Sequence, residues 1–116
     1  MNKYRGTEKD IHTRIYKFVI ACFRDVVKKI PKTTENIPII SQLSSSLTSI
    51  GANDQEADAT TSKKDFIAKY AIVRKKTKET KYWLSFIKDS SLHEFRFIIF
   101  VILEEAQPSL TWRSQV

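Results

Sequence analysis

Residues 62–90 read SKKDFIAKYAIVRKKTKETKYWLSFIKDS, and this stretch decides the fold. It contains no Gly and no Pro, and at 1.5 Å rise per residue it predicts a helix of roughly 40 Å. Seven of its residues recur at intervals of four and three, which is the periodicity of a helix packed in a bundle. This seam consists of Phe66, Tyr70, Val73, Thr77, Thr80, Leu84 and Ile87.

The same stretch carries most of the positive charge of the chain. Nine Lys or Arg residues stand against three Asp or Glu residues, a net +6 of the +7 of the whole chain. At 100° per residue, five cations form one stripe beside the seam: Lys63, Arg74, Lys78, Lys81 and Lys88. Tyr70 lies within the stripe. Because phosphates pair with cations and bases stack on rings, the six residues are predicted to bind nucleic acid. A solvated helix face without a ligand would show the same pattern.

A second apolar flank of this helix indicates that it contacts two neighbours, as a central bundle helix does. The flank is formed by Ala68, Ile72, Trp83 and Phe86. Tyr82, Trp83 and Phe86 are expected in the core or between subunits rather than as a stacking platform. A further helix is predicted to follow and to end near Ala106, which makes it too short to cover the first half of this flank. The apolar surface left uncovered predicts self-association.

The composition of the 116-residue chain is that of one domain without a β-sheet. Two Gly and three Pro supply few tight turns. The single cysteine, Cys22, excludes an intramolecular disulfide, and we expect it to be buried and the protein to be cytoplasmic. No secretory signal is visible at the N-terminus, and the apolar run at 97–103 is too short for a membrane span.

Three further helices are predicted around the long one. The first covers residues 11–30 after a frayed segment at 1–9, and Pro31 ends it. The second begins near Pro38, and the fourth begins near residue 92 or 93 and stops at Gln107-Pro108. The prediction is an all-α, antiparallel up-down four-helix bundle with a short, atypical fourth helix. This domain would span residues 1–106, and residues 107–116 would form a loose C-terminal tail.

Two local features accompany the second and third helices. Thr61 or Ser62 is predicted to cap the third helix, with Asp65 in its first turn complementing the helix dipole. Gly51 and Ala52 are small enough for a neighbouring helix to approach closely.

Asp54 stands where the periodicity of the second helix requires an aliphatic residue. An unpaired buried carboxylate costs several kcal/mol. We therefore expect Asp54 to pair with Lys63, Lys69 or Tyr70, or to turn to the edge of the bundle.

The sequence contains no signature of catalysis. It has no Gly-rich phosphate loop, no CxxC and no HExxH, so no catalytic residue, metal site, cofactor or small-molecule substrate is predicted. His12 and His93 have no second ligand at metal-binding spacing and are expected to be ordinary surface or boundary histidines. Arg5 and His12 resemble the Arg–His spacing of HEPN-type ribonucleases, which keeps a nuclease as a third and weakest option.

Several segments resemble the four-helix bundle proteins encoded within 23S rRNA intervening sequences. The matching segments are Ser41-Gln42-Leu43, Ser49-Ile50-Gly51-Ala52-Asn53, Glu56-Ala57, Ser62-Lys63-Lys64-Asp65-Phe66-Ile67 and Glu79-Thr80-Lys81-Tyr82-Trp83-Leu84. The resemblance covers residues 11–92. It implies an antiparallel bundle that assembles as a homo-oligomer, typically a ring of five, in the bacterial cytosol and without known enzymatic activity. A similar protein, the accessory variability protein of diversity-generating retroelements, binds nucleic acid and a reverse transcriptase.

The chain departs from the pattern of this family in three ways. Asp54 stands where the family usually has Ile, and Lys76 stands where it commonly has Glu. After Leu92 the sequence no longer follows the family. The functional prediction is a non-enzymatic, basic, oligomeric scaffold that binds RNA or DNA, and the alternative is a structural or protein-interaction module whose lysines only confer solubility.

Overall fold

The structure is a computed structural model that describes residues 2–90 and 95–111, with side chains for 11–90 and 95–104. Its helices are α1 (Asn2–Asp25), α2 (Asn36–Asp58), α3 (Lys63–Asp89) and α4 (Arg96–Thr111). Each helix contacts two others, in the ring α1–α2–α3–α4–α1. The 23 × 21 Å cross-section is that of two helix layers packed side by side. The predicted all-α four-helix bundle is confirmed.

Helices α2 and α3 run antiparallel and form the most extensive contact of the bundle. Three side-chain pairs join them, and the residue number falls along α3 as it rises along α2. The pairs are Ser46 with Thr80, Asp54 with Tyr70, and Glu56 with Lys69. This register follows from the short turn between Asp58 and Lys63, since a connection of four residues returns the chain alongside itself.

The core lies between all four helices. Its buried apolar residues are Ile15, Phe18, Cys22, Val26, Val27, Ile30, Leu43, Leu47, Ile50, Ala57, Val73, Leu84, Ile87, Phe95, Ile99 and Ile102. The predicted α3 seam is confirmed from Val73 to Ile87, including the buried Thr77 and Thr80. Phe66 at the start of the seam is 38 % exposed.

Cys22 is fully buried in this core, as predicted. Burial, with a smaller contribution from the negative charge of Asp25, raises the pKa of the Cys22 thiol to about 12. The side chain therefore packs as a small apolar group.

The bounds of α1 differ from the prediction at both ends. The helix begins at Asn2, not after residue 9, and segment 2–9 contains Lys, Arg and Glu residues that favour helix. It ends at Asp25, five residues before the predicted end, and a 3₁₀ turn at Val27–Lys29 follows. Ile30 is extended (ψ 128°), which is the conformation that a following proline favours.

Helix α4 extends further than the sequence indicated. The prediction that Gln107-Pro108 ends the helix was wrong, because α4 continues to Thr111. A proline removes one backbone hydrogen bond and strains one turn, and here the turns on both sides remain helical. With 16 residues against 27 in α3, α4 is nevertheless short, as predicted. The predicted starting points at residues 92 and 93 and the tail residues 112–116 lie outside the described residues.

The predicted cap of α3 is confirmed, whereas the predicted close helix approach at Gly51 is not observed. Ser62 caps α3, since its hydroxyl accepts a hydrogen bond from the Asp65 N–H at 3.1 Å. By contrast, no described part of the chain approaches Gly51 closely, because a Cβ added there would meet none of its atoms within 4 Å. The small residue at position 51 is therefore not needed for packing within this chain.

Candidate nucleic-acid interface

The five predicted cations of α3 have two different environments. Lys63, Arg74, Lys78 and Lys81 are exposed. Lys88 is half-buried, and its Nζ lies 3.6 Å from an oxygen of Asp89, an ion pair that offsets its charge. The first four therefore present their charge to solvent more fully than the fifth.

Two further cations of α3, which the sequence analysis left out, belong to the same surface. Lys64 and Lys75 are exposed. Together with the four exposed cations above they form a surface that we call the cationic face: Lys63, Lys64, Arg74, Lys75, Lys78 and Lys81. All six fall within an arc of about 120° around the helix axis. A stripe defined by a narrow arc leaves out Lys64 and Lys75, whereas an arc of about 120° includes them.

The cationic face is distinguished by its lack of counter-charges. Within the residues whose side chains the structure describes, none of its six members has a carboxylate partner. The other three cations of α3 are paired: Lys69 contacts Glu56 at 2.5 Å, Lys76 contacts Glu79 at 3.3 Å, and Lys88 lies 3.6 Å from Asp89. From Lys63 to Lys81 the unpaired charges cover about 27 Å of helix.

Tyr70, the predicted aromatic member of the site, is held in a polar cluster. Its hydroxyl donates a hydrogen bond to Asp54 Oδ1, and its ring lies 4.8 Å from that of Phe66, centroid to centroid, at 44°. The side chain is half-buried. This placement gives Tyr70 a structural contact between α3 and α2.

Asp54 is 1 % exposed and lies at the centre of this cluster. The prediction that it pairs with Lys63, Lys69 or Tyr70 is confirmed for Tyr70. The second partner is His12, whose Nδ1 lies 2.8 and 2.9 Å from the two Asp54 oxygens. The Nε2 of His12 faces Asp58 at 3.4 Å, so both ring nitrogens meet carboxylates.

His12 was expected to be an ordinary surface or boundary histidine, and its role in this cluster was not predicted. Its side chain is 16 % exposed, and it connects α1 to α2, where Asp54 lies 42 residues away. No sequence spacing reveals this contact, because it depends on how α1 packs against α2. His93 and the side chain of Arg5 lie outside the described residues.

An aromatic cluster lies near the C-terminal end of α3. Tyr82 is 58 % exposed and Phe86 is 42 % exposed, whereas Trp83 packs partly against the core. The indole ring meets Tyr82 edge-on, with centroids 4.9 Å apart at 74°. Trp83 therefore lies partly in the core, as expected. Tyr82 and Phe86 do not lie in the core of this chain.

Two kinds of site are absent from the described part of the chain. No group of three or more His, Cys, Asp or Glu side chains is arranged to hold a metal ion. Among the described helices, none combines the length and the apolar content that crossing a membrane requires.

Comparison with known families decides where the chain belongs. The family model described as 23S rRNA-intervening sequence protein matches residues 7–97. The chain belongs to this family. No curated protein and no solved structure shows a significant match.

The 23S rRNA-intervening sequence protein match contains every residue of the cationic face and of the polar cluster. It ends at residue 97, five residues beyond the end expected from the resemblance. Most of α4 therefore lies outside the part that the family model describes.

Proposed function

We propose that the protein is a non-enzymatic scaffold of the cytosol that self-associates and binds RNA or DNA through the cationic face. The observation that carries this proposal is the set of six exposed, unpaired cations along one side of α3. Lysines that only confer solubility need not be concentrated on one helix, whereas a polyanion is bound best by charges aligned along its backbone.

Binding proceeds through phosphate contacts. Each phosphate neutralised by Lys or Arg releases counterions, so the affinity falls steeply as salt rises. Phosphate contacts fix the position of the strand and carry little sequence information. The expected behaviour is binding to many sequences at low salt and strong weakening by about 0.2 M salt.

Self-association would repeat the cationic face around an assembly, in the ring of five that the family resemblance implies. Three large apolar side chains of α1 support an assembly. Tyr16, Ile20 and Phe23 are separated by four and three residues, point to one side of the helix and are 39–62 % exposed. Contiguous exposed apolar surface of this kind typically marks an interface.

The decisive test reverses three charges of the cationic face. We expect Arg74→Glu with Lys78→Glu and Lys81→Glu to abolish binding to fluorescent RNA and DNA at low salt, measured by anisotropy. All three residues are exposed and lie outside the seam, so circular dichroism and mass in solution should match those of the parent.

A matched control makes the same change in net charge elsewhere. The variant carries Lys17→Glu, Lys28→Glu and Lys32→Glu, three exposed cations on α1 and in the connection to α2. We expect it to retain most of the affinity. If the α3 variant folds, assembles and binds as tightly as the parent, the cationic face is a solvated surface and the proposal is wrong.

The exposed apolar surface favours one alternative, a structural or protein-interaction module. Phe97 and Phe100 on α4 are 76 % and 56 % exposed, in addition to the α1 residues. Such a module would assemble normally and bind no nucleic acid at any salt concentration. Whether the parent protein binds RNA or DNA in the anisotropy assay therefore distinguishes the two functions.

A further inference from the structure

Beside the cationic face, the surface of α3 forms a cleft with an aromatic wall. The cleft has a volume of about 350 Å³ and is lined by Tyr82, Ser85, Phe86, Asp89 and Ser90. It is an open depression in the surface and not an enclosed cavity. We call it the aromatic cleft. Its two rings are exposed and therefore available to a ligand.

The aromatic cleft continues the cationic face in both position and direction. Lys78 precedes Tyr82 by four residues and Lys75 precedes it by seven, so all three point to the same side of α3. A strand whose phosphates follow the cationic face toward the C-terminus of α3 therefore reaches the cleft within one helical turn of Lys78.

The polar residues of the cleft indicate which part of a nucleotide enters it. Asp89 carries a carboxylate that is 66 % exposed and lies 3.6 Å from Lys88. A carboxylate repels a phosphate group, whereas it accepts hydrogen bonds from the amino groups of bases. The cleft is therefore suited to a base, and the phosphates belong on the lysines beside it.

The rings are held in a fixed arrangement. Trp83 packs edge-on against Tyr82 and also contacts Phe86, with centroids 6.0 Å apart at 70°. The ring planes of Tyr82 and Phe86 are inclined by 39° with centroids 6.3 Å apart, so the two rings do not stack face to face on each other. Aromatic side chains fixed in this way form a platform on which a base can stack.

We propose that the aromatic cleft binds an unpaired base, so that the preferred partner of the protein is single-stranded nucleic acid. This inference rests on the proposed function, because the cationic face supplies the phosphate contacts. A base inside a duplex is stacked on both sides and cannot enter the cleft. Duplexes then bind through the cationic face alone.

The test compares single-stranded RNA with a duplex of the same sequence, by anisotropy in low salt. We expect the parent to prefer the single strand. Tyr82→Leu, which removes the ring, should weaken single-strand binding at least about fivefold and leave duplex binding unchanged. Tyr82→Phe should bind like the parent.

The matched control is Tyr16→Leu, which removes an equally exposed tyrosine on α1, outside the cationic face, and keeps an apolar side chain in the α1 surface expected to mediate assembly. It should not change the ratio of the two affinities. A second readout uses a Trp112→Phe background, in which Trp83 is the remaining tryptophan of the chain. Its fluorescence should change with single strands and not with duplexes.

Three results separate the possibilities. If the parent binds neither form, the proposed function fails and this inference with it. If Tyr82→Leu keeps the parent's preference for single strands, the cleft does not stack a base, although the cationic face still binds. If Tyr82→Leu instead changes the mass in solution and weakens both forms equally, the aromatic cleft is a subunit interface and the inference is overturned.

Discussion

Asp54 shows how one residue can connect three helices. Its buried carboxylate on α2 meets His12 of α1 and the hydroxyl of Tyr70 of α3. Two polar partners make burial of the carboxylate tolerable, since an unpaired buried charge would cost several kcal/mol. The position where the periodicity of α2 calls for an aliphatic residue is thus the centre of a polar link.

At this scale we predict the effect of placing an aliphatic residue at position 54. Asp54→Ile removes the acceptor of both His12 and Tyr70 and should lower the free energy of unfolding by about 3 kcal/mol. Adding His12→Leu and Tyr70→Phe removes the stranded polar groups and should recover most of the loss, because an apolar set of similar shape is nearly neutral.

Urea unfolding at one protein concentration measures these differences. The control is Asp58→Ala, which removes a carboxylate that is 61 % exposed and should cost less than about 1 kcal/mol. If Asp54→Ile is as stable as the parent, the polar cluster contributes nothing to holding the three helices together.

At the scale of the element, α2 contains a glycine whose presence packing within one chain does not explain. Gly51 lies in the helix interior, has no positive φ and has open space where a Cβ would be. A glycine in such a position destabilises a helix relative to alanine, because it loses more backbone freedom on folding.

We therefore predict that Gly51→Ala raises the free energy of unfolding by about 0.5–1 kcal/mol. The neighbouring exposed residue supplies the opposite control, since Ala52→Gly should lower it by a similar amount. Both are measured by urea unfolding. A destabilised Gly51→Ala variant with a smaller mass in solution would show instead that another subunit approaches α2 at this glycine.

At the scale of the whole molecule, the apolar side chains that one chain leaves exposed should determine its assembly. We predict that the parent sediments as a multiple of its 13.5 kDa mass. Replacing Tyr16, Ile20 and Phe23 by Gln should give a single folded chain, because exposed positions tolerate polar residues with little loss of stability.

Sedimentation velocity over a range of concentrations makes this measurement. The control, Ile37→Gln, removes another apolar side chain that is 55 % exposed but lies away from the α1 residues, and it should leave the assembly intact. If the triple α1 variant keeps the mass of the parent, the interface lies elsewhere, and Phe97 and Phe100 of α4 are the next surface to replace.

The sequence by itself determined the features that depend on neighbours along the chain. The α3 seam from Val73 to Ile87, the Ser62 cap and the short turn into α3 all follow from spacing within a few residues. Helical periodicity and capping are local, so they can be calculated from consecutive residues. The concentration of positive charge on α3 was visible in the same way.

Only the tertiary structure decided which residues of different helices meet and which side chains stay exposed. The contact of His12 with Asp54 joins residues 42 apart, and it depends on the rotation and register of α1 against α2. The exposure of Tyr82 and the pairing of Lys69 with Glu56 depend on the same packing. Periodicity gives the angle of a residue around its own helix axis and contains no information on the position of that axis relative to the other helices.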